Sequence, residues 1–295
     1  MPVSILTDSA ASLPEATAAA AGVLVVPMWL TIGHTSVHDG ELGLDEVLSR
    51  IDEGITTAGP TPGEFAAALE AKGTGDGALI LTIASTMSST CQAAGVAARS
   101  VDPARVRVFD TGTAAGAQGL VVLAAARAAA RGDDLDAVEG EAKRVAARVR
   151  LVATLPSLDR LATSGRVPEA AALAGRWLGL QPLFEFRSGG ARPLRPARSR
   201  ARALDRIVSR WRRGGPRHQA TGRLGCHVAA LHAQSPGAAD ALLERVRASV
   251  TPATAFIGSF SPVMVVHTGP GLIGLAWWWE EPARLSTLND RGAGC

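Results

Sequence analysis

The densest run of hydroxyls in the chain is Ser85-Thr86-Met87-Ser88-Ser89-Thr90, which follows the apolar run Ala78 to Ile83 and precedes an Ala-rich stretch. A hydroxyl-rich turn between a strand and a helix combines side-chain donors with unpaired backbone amides, and such a turn attracts anions. Plain N-capping accounts for one Ser or Thr. The hydroxyls beyond that one keep an anionic ligand such as a carboxylate as a second reading beside capping. A second hydroxyl source is Thr56-Thr57-Ala58-Gly59-Pro60-Thr61-Pro62. As a connector, this segment needs only Thr61 as cap and Pro62 at the first helical position, ahead of a helix starting near Glu64. As a binding element, it needs Thr57 to donate into the same cleft. A third element is His267-Thr268-Gly269-Pro270-Gly271, which follows an expected strand at Val263 to His267. The formal G-x-G-x-x-G from Gly269 to Gly274 is rejected as a dinucleotide loop, because Pro270 removes a backbone donor and no acidic ribose partner follows.

The same residue types allow a second chemistry. Ser85 and His267 with Asp8 or Asp110 are the components of an acyl-ester hydrolase, although no G-x-S-x-G elbow surrounds Ser85. Neither Lys72 nor Lys143 sits in a phosphate-binding Walker context. His34 and His38 lie in a turn-rich region and read as satisfied or exposed side chains, so no metal is expected. Cys91, Cys226 and Cys295 are too scattered for a zinc site or a disulfide framework, which suits a reducing compartment. No cofactor is expected.

These groups need a scaffold, and the chain has the material for one. Its 295 residues, 47% apolar and 19% charged, exclude a disordered or collagen-like chain and favour two domains. In the first half, apolar β-branched runs repeatedly end in a polar cluster that opens a helical stretch. Val3 to Leu6 leads into Thr7-Asp8-Ser9, Ala78 to Ile83 into the hydroxyl run, and Val106 to Phe109 into Asp110-Thr111, with a further short strand at Leu24 to Pro27. This alternation predicts an α/β fold with a mostly parallel sheet and a ligand at the carboxyl ends of its strands. A charged amphipathic helix is expected over Asp134 to Arg150. A second, smaller α/β domain with mixed strands should occupy 151–283. Its expected elements are a helix at Glu169 to Gly175, strands at Gln181 to Phe186 and Arg192 to Pro196, a helix at Arg200 to Arg213 and a loop at Gly214 to Gly222. A strand at Cys226 to Leu231 and a helix at Ala238 to Ser249 follow, and 284–295 reads as a frayed tail.

The arginine-dense stretch Arg187 to Arg217 is poor in aromatics, and the net charge of the chain is only +3. It reads as a solvated basic face, with docking of an acidic or phosphorylated partner as the second reading, and no nucleic acid is expected. Trp277-Trp278-Trp279 would point alternate rings to core and solvent if it forms a strand. Ala114 to Ala130 is interrupted by Gln118 and Arg127 and too Ala-rich to prefer lipid. With no signal peptide recognisable at Met1 to Asp8, the expectation is a soluble cytoplasmic protein without stable membrane insertion, whose membrane contact is at most transient.

In their order, these segments resemble the DegV family of bacterial fatty-acid-binding proteins from residue 1 to about residue 280. The carriers are Ile5-Leu6-Thr7-Asp8-Ser9, Asp39-Gly40, Thr56-Thr57 to Pro60, Ser85 to Gln92, Val108-Phe109-Asp110-Thr111, Ser164-Gly165-Arg166, Gln181-Pro182-Leu183 with Arg198, and His267 to Gly271. The family's Thr-Ser-Gln-Pro is here Thr57-Ala58-Gly59-Pro60, its Ser-Gly-Thr-Tyr-Gln is Ser88-Ser89-Thr90-Cys91-Gln92, and its Gly-Gly-Arg is Ser164-Gly165-Arg166. The resemblance implies two α/β domains, 1–150 and 151–283, with a long-chain fatty acid between or within them. It also implies that the protein is no enzyme itself but presents the acyl carboxylate to a separate ATP-using fatty acid kinase subunit. Thr57 and Ser85 are then the first head-group contacts, Ser88 and His267 the next. Arg166 and Arg198 would line the opening or meet the partner.

Overall fold

A computed structural model describes residues 2–167, 179–187, 189–215 and 225–280. The chain opens with β1 (Ser4–Asp8), α1 (Glu15–Ala20) and β2 (Val23–Val26), then the hairpin strands β3 (Trp29–Ile32) and β4 (Thr35–His38). Next come α2 (Leu44–Ser49), β5 (Thr56–Ala58), α3 (Pro62–Lys72), β6 (Ala78–Thr82), α4 (Thr90–Val101), β7 (Val106–Asp110), α5 (Ala115–Ala130) and α6 (Leu135–Ala146). The second half contributes β8 (Arg150–Thr154), α7 (Asp159–Thr163), β9 (Gln181–Arg187), β10 (Gly190–Ala197), α8 (Arg200–Gly214) and β11 (Cys226–His232). It closes with α9 (Pro236–Arg247), β12 (Thr254–Ser259), α10 (Pro262–Thr268) and β13 (Ile273–Trp279).

The first sheet is parallel in the order β2-β1-β6-β7. Its inner strands are buried along their whole length because both faces are covered, as parallel sheets require. Side chains alternate across it: Leu6 and Ile80 join Phe65 and Leu69 of α3 and Ala94 of α4, whereas Ile5, Leu79 and Leu81 face the core that contains α5. The second sheet is mixed, β10-β9-β8-β13-β11-β12. Leu151, Ala229 and Trp278 of this sheet face the α5 core, and Val152, Val228 and Trp277 face α8 and α9. The described layers therefore run helices, sheet, α5, sheet, helices.

Helix α5 is buried apart from Arg127 and Ala130, which explains its all-round apolar sequence. Its small residues let two sheets approach it. A Cβ on Gly116 would lie 2.6 Å from Leu231 Cδ2, and one on Gly119 would lie 2.9 Å from the Ala11 carbonyl. The three tryptophans near the end of the second sheet are covered. Trp278 stacks on His227 at 4.1 Å beneath the Arg144 guanidinium, Trp277 is buried in the second core, and Trp279 stacks on Trp211. The arginine-rich stretch is partly structural: Arg206 donates to the Arg195 and Pro196 carbonyls, and Arg210 pairs with the buried carboxylate of Glu185.

Several sequence expectations are corrected. Val263 to His267 forms α10, not a strand. Its β-branched run mimics a strand, but Ser261 has extended geometry, Pro262 stands at the first helical position, and the Asp39 carboxylate accepts the Val263 amide at 3.2 Å. The helix expected over Asp134 to Arg150 stops at Ala146, and Arg150 opens β8. The expected helix at Glu169 to Gly175, residues 216–222 of the expected loop and the tail 284–295 lie outside the described residues.

Candidate functional site

A third, three-stranded sheet, β4-β3-β5, sits beside the carboxyl ends of the parallel strands and positions the most distinctive contact in the protein. Leu30 of β3 pairs with Thr57, holding β5 against its neighbour. The Thr57 hydroxyl and His267 Nε2 share a hydrogen bond of 2.7 Å. Helix α10, which carries His267, packs on β3 and β5 and is anchored through Asp39, whose second carboxylate oxygen accepts from Ser9 at 2.6 Å. On the other side of the β5 turn, Thr61 caps α3 in a reciprocal box with Glu64. Burial works against the Glu64 charge, yet the Thr61 amide, His38, Trp29 and the Thr61 hydroxyl together hold its carboxyl down to about 2. His38 lies between Glu41 and Glu64, and His34 is exposed.

Thr57, Ser88, Arg166 and His267 line one cavity of about 300 Å³, together with Ser89 and apolar side chains including Met28 and Val263. Ser88 and Ser89 stand at the start of α4, where Ser89 occupies the cap position without a side-chain cap bond. Burial, and secondarily the Arg166 cation, push His267 down to about 4, so the imidazole is neutral at pH 7 and its ring remains a hydrogen-bonding group. Arg166 is held by its own turn, its guanidinium donating to the Ser164 carbonyl at 2.6 Å. This end of the cavity offers hydroxyl donors, a neutral imidazole and one guanidinium, a set suited to a carboxylate.

The other end is chemically different. Met87, Leu161, Met264 and Thr268 also line a second cavity of about 80 Å³, walled by Ala115, Leu151, Ala153, Phe184, Phe186 and Leu272 among others. This apolar arm runs between the start of α5 and the β8-β9 face of the second sheet. Polar donors at one end and hydrocarbon at the other match an amphiphile with an anionic head.

Against known proteins, the family described as "Uncharacterised protein, DegV family" matches residues 2–280. The chain belongs to the DegV family. DegV domain-containing proteins of Streptomyces coelicolor and Mycobacterium tuberculosis are each 32% identical to it, over 92% and 93% of this chain and 97% and 96% of theirs. Among solved structures, a DegV family protein from Thermus thermophilus, reported for its fatty acid binding, superposes with a TM-score of 0.85 at 30% identity, covering 94% of this chain and 99% of that one. The DegV family protein Cg2579 from Corynebacterium glutamicum gives 0.78 at 27% identity, covering 96% and 100%. Both the α/β architecture and the split between parallel and mixed sheets are those of DegV structures.

Within this DegV fold, the expected site residues separate into two groups. Thr57, Ser88, Arg166 and His267 come together. Ser85 does not join them: it is exposed, is not among the cavity-lining residues, and its amide donates to Asp110 at 3.1 Å. Arg198 is exposed in the bend between β10 and α8, also away from the lining. The hydrolase constellation is not assembled. Asp8 accepts from Ile83, Ala10 and Gln118, Asp110 from the Ser85 and Gly112 amides, and His267 Nε2 meets Thr57. Sequence reasoning passed over Ser89 as a contact and Asp39 as the anchor of α10; Ser89 was legible as a hydroxyl beside Ser88, whereas the Asp39 contact spans 224 positions.

Proposed function

We propose that this DegV protein binds a long-chain fatty acid, with its carboxylate among Thr57, Ser88, His267 and Arg166 and its acyl chain in the arm beside Phe184 and Phe186. The observation that carries this reading is that Met87, Leu161, Met264 and Thr268 line both the cavity that holds the polar donors and the apolar one beside it. Burial of the chain contributes about 0.8 kcal/mol per methylene, while a buried head group must be hydrogen-bonded, and the two ends divide these tasks. The fatty acid binding reported for the Thermus thermophilus relative supports the same reading. Native mass spectrometry of protein purified without added lipid tests it: a fatty acid adduct is expected, and its absence together with no binding of added palmitate would overturn it.

The protein presents this carboxylate to a separate fatty acid kinase subunit, where a carboxylate oxygen attacks the γ-phosphorus of ATP and ADP leaves. Support comes from the head end reaching the surface, since Ala58 and Ser89 in its lining are exposed. Arg198, exposed and outside the cavity, then serves the partner, and Arg166 serves the ligand. With the cognate kinase, Arg198→Ala should lower acyl phosphate formation without weakening lipid binding, and Arg166→Ala should lower both. Loss of lipid affinity in Arg198→Ala would contradict this division.

A further inference from the structure

Gly59 closes β5 at a point where the chain needs no left-handed backbone, so its lack of a side chain has another cause. A Cβ at this position would overlap Thr90 Oγ1 and lie 3.3 Å from Thr90 Cβ and 3.4 Å from Ser88 Oγ. The space that Gly59 leaves is taken by the Thr90 hydroxyl.

Thr90 is fully buried and does not line the cavity, but its hydroxyl lies 2.8 Å from Ser88 Oγ, which does. Ser88 Oγ also accepts the Thr90 amide at 3.3 Å. A serine hydroxyl has two acceptor sites and one proton. The buried Thr90 hydroxyl has no other acceptor among the described residues, which assigns its proton to the second site; with the Thr90 amide on the first, the hydrogen-bonding capacity left to Ser88 is its own proton. That proton is then available to a ligand in the cavity, and accepting two bonds strengthens it as a donor.

We infer that Thr90 is a positioning residue that fixes Ser88 as a donor to the ligand carboxylate, and that Gly59 is the residue that admits it. The inference rests on the fatty acid reading above. Among the described residues, the Thr90 hydroxyl has no hydrogen bond besides the one to Ser88, so this is the contact its burial serves. With this backbone, a Cβ at position 59 would displace Thr90 Oγ1 from Ser88.

The test compares palmitate with methyl palmitate, which has the same chain but no charge, by displacement of a fluorescent fatty acid, with melting temperature recorded for each variant. Thr90→Val should weaken palmitate about fivefold, the worth of one ordinary hydrogen bond, and leave methyl palmitate nearly unchanged. Thr90→Ser should retain wild-type affinity. Ser88→Ala, which removes the donor itself, should weaken palmitate tenfold or more, and the double variant should be no weaker than Ser88→Ala alone. Gly59→Ala should reproduce the Thr90→Val loss but add nothing in a Thr90→Ala background. Wild-type protein that binds neither ligand would remove the fatty acid reading and this inference with it. Wild-type protein that binds palmitate, with a folded Thr90→Val that binds it equally well or loses palmitate and ester in parallel, would overturn the inference alone. If Thr90→Val does not fold, Gly59→Ala and Thr90→Ser decide it: equal palmitate affinity in both would overturn it.

Discussion

Thr57 and His267 stand 210 positions apart and share a hydrogen bond of 2.7 Å, the contact through which the β3-β4-β5 sheet and α10 close one wall of the cavity. Neither side chain needs the other to satisfy a local element, because Thr57 lies on a three-residue strand and His267 in the last turn of a short helix. On the reading proposed above, the ligand carboxylate lies within reach of both. Thr57→Val should therefore weaken fatty acid binding by about 1.5 to 3 kcal/mol, tenfold or more, since it removes a donor to a charged acceptor. The change in melting temperature should be small by comparison. Isothermal titration with palmitate measures the first quantity, and unchanged affinity would move the carboxylate away from Thr57.

Two buried groups give the stability profile opposing slopes. Burial and Arg166 lower His267 from 6.5 to about 4. Below pH 6.5 the unfolded chain gains a proton that the folded protein refuses, so this contribution to stability is present above 6.5 and is lost as pH falls toward 4. Burial raises Asp8 from 3.8 to about 6, against the opposing hydrogen bonds from Ile83, Gln118 and Ala10. Its contribution is present below 3.8 and is lost as pH rises toward 6. In urea melts over this range, His267→Gln should leave stability falling as pH rises from 4 to 6, and Asp8→Asn should leave it rising. Parallel profiles for the two variants would contradict the assignment.

Glycines on two adjacent helices should respond in opposite directions. Gly116→Ala places a methyl 2.6 Å from Leu231 Cδ2 and 2.8 Å from Ala229 Cβ, between α5 and the second sheet. Overpacking of about 1 to 3 kcal/mol should outweigh the gain of up to about 1 kcal/mol in helix propensity. On α6, Gly140 has nothing within 4 Å of its would-be Cβ, and Gly140→Ala should stabilise by about 0.5 to 1 kcal/mol. Thermal denaturation of the two variants checks the sign of each.

The apolar arm should read chain length. Shortening a saturated acid by two methylenes should weaken binding by about 1.6 kcal/mol, somewhat more than tenfold, while the arm still holds both. Ala191→Leu, beside Phe186 in the arm wall, should shift preference toward shorter acids without changing the head-group contribution. Competition titrations with laurate, myristate and palmitate measure the shift, and an equal loss for all three would place Ala191 outside the chain path.

The parallel sheet was legible because three of its four strands, β1, β6 and β7, carry their own signal, an apolar run leading into a polar cluster. The Thr61-Pro62 start of α3 was legible for the same local reason, and the structure adds the Glu64 side chain that completes the box. The β3-β4 hairpin and β12 escaped notice: Trp29–Ile32 and Thr35–His38 have only four residues each, and Thr254–Ser259 mixes polar and small residues and pairs with a strand more than twenty positions earlier. Val263 to His267 was misread because a helix capped by Asp39, rather than by its own Ser261 side chain, leaves little local trace beyond Pro262. Within the site, the sequence reading placed Ser85 ahead of Ser88 as a head-group contact. Only the turn geometry after β6 separates them, sending Ser88 to the cavity and Ser85 to the surface.

The anchoring of α10 by Asp39 bears on how this protein can be divided. By chain order His267 belongs to the second half, but its helix begins on a carboxylate of the first and its imidazole ends on a hydroxyl of the first. On the proposed reading, neither half therefore inherits a complete head-group site. A gene fragment encoding residues 1–150 would carry Thr57 and Ser88 without their imidazole, and the complementary fragment would carry an imidazole with nothing to orient it. Recombination that exchanged one half for that of a distant relative would have to preserve both junctions at once, so the two halves are constrained to diverge together.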